Sequence, residues 1–567
     1  MNQLKMLTAL ILLTLIQLSV IASTPMHFDI LIKGGDIYDG TGNAPRREDL
    51  AISGEYIVKI GGLSSATADV VIDASGKVVS PGFINMLSWA TNSLVRDGRG
   101  LSDVVQGVTL EVFGEGSSMG PFSPEVKKGY QEYINKHPNP FVVSWTTLGE
   151  YLEYLEQKGV SPNVASFVGH TTVRMNALGE MNRAPTSSEL EQMKADVRLS
   201  MEEGALGLGS SLIYAPAFYA KTDEIIQLAK VVAEYNGMYI SHMRSEGNQL
   251  EQSLEELITI AKQAGIPAEV YHLKAAGKEN WSKMNKVIER IQQARDSGLD
   301  ITADMYTYPA GATGLDAAMP PWVQEGGYDA WAKRLKDPAM RKKVIAEMMI
   351  PTDDWENLFL AAGADGVLFA YFKNPELKKY TGMRLTEVAK DRGTSIADTI
   401  IDLVIEDGTR VSTIYFLMSE ENMRLQLKQP WLSFGSDAST ADPIEAIQHG
   451  ALHPRAYGNF ARVLAKYVRD EKLISLEQAI HKLSGLPATN LKLNKRGFIK
   501  LGYYADVLVF DPAKVQDHSS FENPHKLSTG MSHVLVNGGH VIKDGIHTGA
   551  TPGKVVRGPG YNRTKPQ

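Results

Sequence analysis

The sequence predicts an α/β protein, a TIM (β/α)8 barrel with a small β-sandwich domain built from both ends of the chain. Short apolar runs alternate with helical stretches over 78–485, the texture of βα units around a parallel sheet. Eight of these runs read as strands, the number that closes a barrel: 78–86, 107–114, 163–170, 204–210, 237–243, 266–273, 299–306 and 431–437. Strands punctuated by glycine turns fill 25–77, as in FDILIKGGDIYDG, and the same texture returns over 486–567, as in SHVLVNGGHVIKDG. The two ends are therefore expected to pair into one domain. The stretch 315–412, with MPPWVQEGG and several charged helices, is too long for one βα connection and reads as a lid-like insertion.

Composition narrows the function classes. The chain is 43% hydrophobic and 22% charged, an ordinary balance for a folded soluble protein. A net charge of -7 without a basic stripe argues against nucleic acid as a partner and leaves a small molecule as the expected one. Residues 1–24 have the layout of a secretory signal peptide: Lys5, an apolar run from Leu7 to Leu18, then the small residues Ala22, Ser23 and Thr24. That run is shorter than the roughly 20 residues a membrane span needs. The expectation is an exported protein, periplasmic or secreted, with no stable span after cleavage. The sequence contains no cysteine, which excludes disulfides and thiolate ligands. Any metal must sit on His, Asp or Glu, which favours ions such as zinc or manganese.

Three polar residues fall at the ends of consecutive predicted strands: His242 in YISHMRSEG, His272 in VYHLKAAG and Asp304 in ITADMY. Their spacings are 30 and 32 residues, about one βα unit each. Barrel enzymes place their chemistry at that end of the strands. A lone histidine is usually structural, but two at matching positions one unit apart point to a shared metal. Asp437 in FGSDAS ends the eighth predicted strand, where a carboxylate could take and return a proton; the same residue could also be an ordinary turn or helix-cap aspartate. His170 in FVGHTTVR ends the third and is a further candidate for contacting substrate or a developing oxyanion.

The segments VIDASGKVVSPGFIN, GALGLGSSLIYAP, SHMRSEG, YHLKAAG, DMYTYPAG, FGSDAS, HPRAYGNFARVL and GFIKLGYYADVLVFDP occur here in the order seen in the D-aminoacylase (N-acyl-D-amino-acid deacylase) family of the amidohydrolase superfamily, which the chain resembles. The resemblance implies a hydrolase acting on linear amides, with His242 and His272 as metal ligands and Asp437 as catalytic aspartate. It also implies that Lys274, Tyr306 and Arg455 recognise the substrate carboxylate. Their chemistry suits this: arginine offers a planar fork, lysine a point charge and tyrosine a neutral donor.

Two departures stand out. Where the superfamily carries His-X-His after PGFID, this chain has PGFINMLSWAT, with Leu87 and Trp89 at the histidine positions. The cysteine ligand of the family is replaced in VFGEGSSMGP, where Glu115 is the natural substitute. The expectation is one divalent ion, Zn2+ by preference, on Glu115, His242 and His272, with an N-acyl-D-amino acid as substrate. A cyclic-amide hydrolase or dipeptidase of the same superfamily, or an exported binding protein without catalysis, are the alternatives.

Overall fold

The computed structural model describes residues 26–137, 139–444, 446 and 453–561, so the leader expected over 1–24 lies outside the described residues. From the N-terminus, β1 (His27–Ile37), β2 (Arg46–Ser53), β3 (Tyr56–Gly61), β4 (Thr67–Asp73) and β5 (Val78–Pro81) build one side of a mixed sheet. Strand β1 is long and breaks its register with β2 between Ile32 and Gly35, where Gly34 has φ +70°. Glycine takes that left-handed conformation without a Cβ penalty. The break lets one strand serve two neighbours on the same side: its first half pairs with β4 and Asp36–Ile37 with β5, both in parallel.

The next strands form the ring that positions the site. They are β6 (Phe83–Asn85), β7 (Val108–Phe113), β8 (Asn163–Ser166) with its continuation β9 (Val168–Gly169), β10 (Gly207–Ser211), β11 (Met238–His242), β12 (Ala268–Val270) and β13 (Ile301–Met305). All pair in parallel with their sequence neighbours, segment 163–169 linking β7 to β10. Three antiparallel strands, β14 (Gly311–Gly314), β15 (Val367–Tyr371) and β16 (Ser412–Tyr415), follow in the order β14-β16-β15. They frame the expected insertion, which begins a few residues earlier and ends a few later than 315–412. Strand β17 (Leu432–Phe434) then pairs with β13 as though nothing intervened. It reaches back to the first strand through Met86 N–H to Phe434 O, 3.1 Å, and Asp437 N–H to Leu87 O, 2.8 Å.

Helices cover the ring for the reason their sequences give. In Leu250–Ala264 the buried residues Leu250, Leu254, Leu257, Ile258 and Ala261 recur at three- and four-residue steps, and Gly265 closes the helix with φ +69°. Apolar strand and helix faces meet in one continuous core that includes Leu208, Val270, Ile291 and Ile301.

The chain returns to the small sheet with β18 (Val507–Phe510), β19 (Met531–Val536), β20 (Gly539–Lys543) and β21 (Ile546–His547), β18 pairing with β5. Strands from both chain ends thus share one sheet, and Ile32, Ile52, Val79, Val507 and Leu535 share one apolar cluster. The strands are bonded into a single sheet that forks at β1, in place of two separate sandwich sheets. Two expected boundaries move. Val78–Pro81 belongs to the small sheet, so the ring starts at Phe83. Residues 553–558 leave the sheet and run along the starts of ring strands, with Val556 N–H on Val164 O and Gly558 N–H on Gly204 O, both 2.8 Å.

Asp506 joins the two parts. Its buried carboxylate pairs with Arg496 and accepts from Asn163 Nδ2 on β8, 3.2 Å, and from Asn537 N–H, 2.9 Å. Removing one partner of a buried pair strands the other charge, at a cost of ~3–5 kcal/mol. Asp506→Ala is therefore expected to lower stability by about that amount in urea unfolding. Asp36→Ala, which breaks an exposed pair with Arg47, should cost about 1 kcal/mol or less. A second test concerns Glu269 on β12, whose pKa is pushed up to about 8 by burial and then by the nearby Asp304 carboxylate. A raised folded pKa stabilises fully below the unfolded value and loses that contribution as pH rises through the folded one. Glu269→Gln should flatten the fall in melting temperature between about pH 5 and 8; an unchanged slope would contradict this assignment.

Candidate metal centre and active site

The C-terminal ends of the ring strands surround a cavity of about 440 Å3. Glu115 enters it from the turn after β7, between Gly114 at φ +109° and Gly116 at φ +68°. A Cβ on Gly116 would lie 2.6 Å from Ser211 Oγ, and one on Gly114 2.4 Å from Phe167 O. Only glycines permit a turn this tight, and it directs the carboxylate inward. His242 ends β11. His272 follows β12 with φ +34°, and Asp437 follows β17 with φ +48°. Non-glycine residues rarely adopt positive φ, and such strain concentrates at functional sites.

These side chains converge. Glu115 Oε1 accepts from His242 Nδ1 at 2.8 Å and from His272 Nε2 at 3.1 Å. The three residues are 5%, 6% and 2% exposed, and one donor atom from each lies within 4.8 Å of the others. His242 Nε2 is buried without a hydrogen-bond partner among the described residues. Two imidazoles and a carboxylate around one point fit a divalent ion of the zinc type and leave a coordination position open. Burial alone would raise the Glu115 pKa, but the hydrogen bonds from His242 and His272 outweigh it and hold the carboxyl well below its usual range. Burial and Lys274 oppose charge on His272, yet Glu246 and Glu115 prevail and raise it to about 10. The carboxylates thus create a place that demands positive charge.

The other expected residues divide. Asp437 shares the cavity; burial holds its pKa above the ordinary range against the opposing charge of Arg455. Arg455 opens the helix Arg455–Arg462, is 3% exposed and pairs with Asp437 Oδ2 at 2.8 Å, its guanidinium 4.4 Å over the Tyr306 ring. Its Nη1 makes that contact, and its Nε is buried without a hydrogen-bond acceptor among the described residues. Tyr306 is buried, which pushes its pKa up to about 12 and keeps the phenol neutral. Lys274 lines the cavity but already donates to Glu246 Oε1 at 2.6 Å.

His170 is a correction. It is fully buried, starts the helix His170–Leu178 and turns away from the cavity to pair with Glu224 at 2.9 Å, beside Arg174 on the same carboxylate. The hydrogen bond to Glu224, on the helix Thr222–Glu234, wins over the strand-end position. Asp304 also stays in the wall, where its Oδ1 accepts the His272 N–H at 2.9 Å.

Sequence reasoning missed several groups. Glu246, four residues after His242 in SHMRSEG, lies 3.0 Å from His272 Nδ1. The helical-looking His-to-Glu step was its only signal. His453, two residues before Arg455, donates from Nε2 to Ala310 O and accepts the Arg455 N–H on Nδ1. Trp89 donates its indole N–H to Glu115 Oε2 at 2.9 Å and to Asp437 Oδ1 at 3.1 Å. The insertion supplies a wall through Thr313, Arg410 and Tyr415, with Arg410 Nε on both oxygens of Asp316.

Comparison with known proteins places the chain in a family. Residues 383–542 match the Amidohydrolase family. A D-aminoacylase of Alcaligenes xylosoxydans xylosoxydans is 32% identical over 535 residues, covering 94% of this chain and 98% of the relative. The crystal structure of an N-acyl-D-glutamate deacylase from Bordetella bronchiseptica, complexed with zinc and a phosphonate mimic of the tetrahedral intermediate, superposes with a TM-score of 0.78. It is 28% identical and covers 94% of this chain and 100% of that one. A D-aminoacylase structure addressing one-metal activation and second-metal attenuation in a binuclear centre gives 0.76 at 30% identity, with the same coverage. The chain belongs to the D-aminoacylase family of amidohydrolases.

Proposed function

We propose that this protein hydrolyses the amide bond of N-acyl-D-amino acids to a carboxylic acid and a free D-amino acid. The ring is read as a TIM-type barrel carrying one divalent ion, zinc by preference, on Glu115, His242 and His272. The observation that carries the reading is the pairing, in one cavity, of that buried Glu-His-His cluster with Arg455, a buried guanidinium beside Asp437 whose Nε lacks an acceptor among the described residues. A bound divalent ion supplies Lewis acidity to the amide carbonyl and acidity to a water.

The chain's own residues do the rest. Asp437 takes the proton of the attacking water and returns it to the nitrogen as the C–N bond breaks. Arg455 and Tyr306 receive the substrate carboxylate, and Lys274 adds positive charge beside it, so the scissile bond arrives oriented. The charged groups lining the cavity are Glu115, Glu246 and Asp437 against Lys274, Arg410 and Arg455. With His272 neutral as a metal ligand these six balance, and a divalent ion leaves a surplus suited to a carboxylate and a developing oxyanion. A cyclic amide has no free carboxylate to use Arg455, and a binding protein has no need for Asp437 beside a metal cluster. The leader-like residues 1–24 support export to the periplasm or medium as the compartment. No helix among the described residues is long and apolar enough to cross a membrane.

Metal analysis of the purified protein should find about one zinc-type ion per chain, with amine released from N-acetyl-D- but not N-acetyl-L-amino acids. Glu115→Ala should lose both metal and activity. A folded, metal-free protein that stays inactive with added zinc or manganese would reject the reading. Arg455→Lys keeps the charge but not the fork, and should raise KM about tenfold or more. His170→Gln should leave KM unchanged and lower the melting temperature, since its partner is Glu224.

A further inference from the structure

Trp89 occupies the cavity rim in a way that packing does not explain. Its backbone is fixed on both sides: the N–H bonds Ala438 O at 3.0 Å and the carbonyl accepts Ser439 Oγ at 2.9 Å. The residue is 38% exposed, so it contributes little to the core. What it does contribute is one donor placed between two carboxylates, 2.9 Å from Glu115 Oε2 and 3.1 Å from Asp437 Oδ1.

The two oxygens of Glu115 therefore have separate duties. Oε1 faces His242 and His272, and Oε2 faces the indole. A second cation beside the first would have to draw on the same outward pair, Glu115 Oε2 and Asp437 Oδ1. Both are already engaged by a group that donates, cannot dissociate, and offers no lone pair to a metal. Leu87, fully buried and apolar, supplies no ligand nearby. The related D-aminoacylase described above has a binuclear centre in which one metal activates and a second attenuates.

We propose that the Trp89 indole N–H stands in the place of a second cation: it holds Glu115 and Asp437 in register and makes this centre permanently mononuclear, so that excess metal does not attenuate it. Trp89 is a positioning residue, acting through Glu115 and Asp437. The proposal rests on the metal cluster assigned under the proposed function, and the test separates the two.

Equilibrium dialysis against rising zinc gives the ion count without reference to activity. The wild type should hold one ion per chain through a large excess, with an undiminished rate. Trp89→Phe keeps the ring and loses the donor; it should take up a second ion at excess zinc, and its kcat should fall about tenfold with KM little changed. Trp89→His restores a ligand and should bind two ions at lower zinc than Trp89→Phe does. A wild type that binds two ions and slows in excess zinc overturns the proposal, as does a folded Trp89→Phe with one ion and wild-type kcat. Should Trp89→Phe not fold, the wild-type count decides. If the ion counts follow expectation while no N-acyl-D-amino acid is hydrolysed, the deacylase reading fails and the role of Trp89 stands.

Discussion

Glu115 is a carboxylate 5% exposed at the end of a strand ring, and burying such a charge without compensation is prohibitively costly. His242 and His272 meet one of its oxygens and Trp89 the other, so three other segments of chain are tied to a single side chain. The turn that delivers it requires Gly114 and Gly116. The tips of β11, β12 and β17 must each present a polar group at one point. Much of the ring's C-terminal face can be understood as the means of holding this one carboxylate where a cation is wanted.

The same constraint accounts for the local strain. His272 and Asp437 both have positive φ without being glycine, a conformation costing of order 1–3 kcal/mol each. Surrounding bonds over-determine both. The His272 N–H is held by Asp304 Oδ1 and its ring by Glu115 and Glu246, while Asp437 is fixed through Leu87 O, Trp89 and Arg455. Asp304, which from its position could be taken for a catalytic group, thus serves to set the backbone of one.

Much of this could be read from the sequence because strand ends and apolar alternation are local properties. The ring strands after the first, the pairing of the two chain ends, and the convergence of Glu115, His242, His272 and Asp437 all follow from spacing and resemblance. What could not be read depended on partners distant in sequence. The fate of His170 was decided by Glu224, 54 residues on, which Arg174 of His170's own helix also grips. Val78–Pro81 and Phe83–Asn85 form one apolar run, and only the pairing of the first with β18 separates them. Trp89 was legible as a residue unable to bind metal; its role as a donor to two carboxylates required a contact across 348 residues. Glu246 carried only a four-residue offset from His242.

The cavity is also defined by what its residues leave unmet. Native proteins satisfy nearly all buried polar groups, and each exception calls for an explanation. Here the exceptions among the described residues include His242 Nε2, 3.6 Å from Glu246 Oε2, and Arg455 Nε, beside the Asp437 carboxylate. Each is fixed by packing or by an ion pair, so none can turn away to find a partner. A ligand that brings a carboxylate to Arg455, and a cation held among Glu115, His242 and His272, would complete groups that folding leaves incomplete. The insertion closes the space around them through β14 and β16, with Arg410 anchored on buried Asp316 and lying 5.3 Å from the Tyr214 ring. Binding energy in such a site comes from groups whose desolvation cost was met during folding, which is the physical meaning of preorganisation.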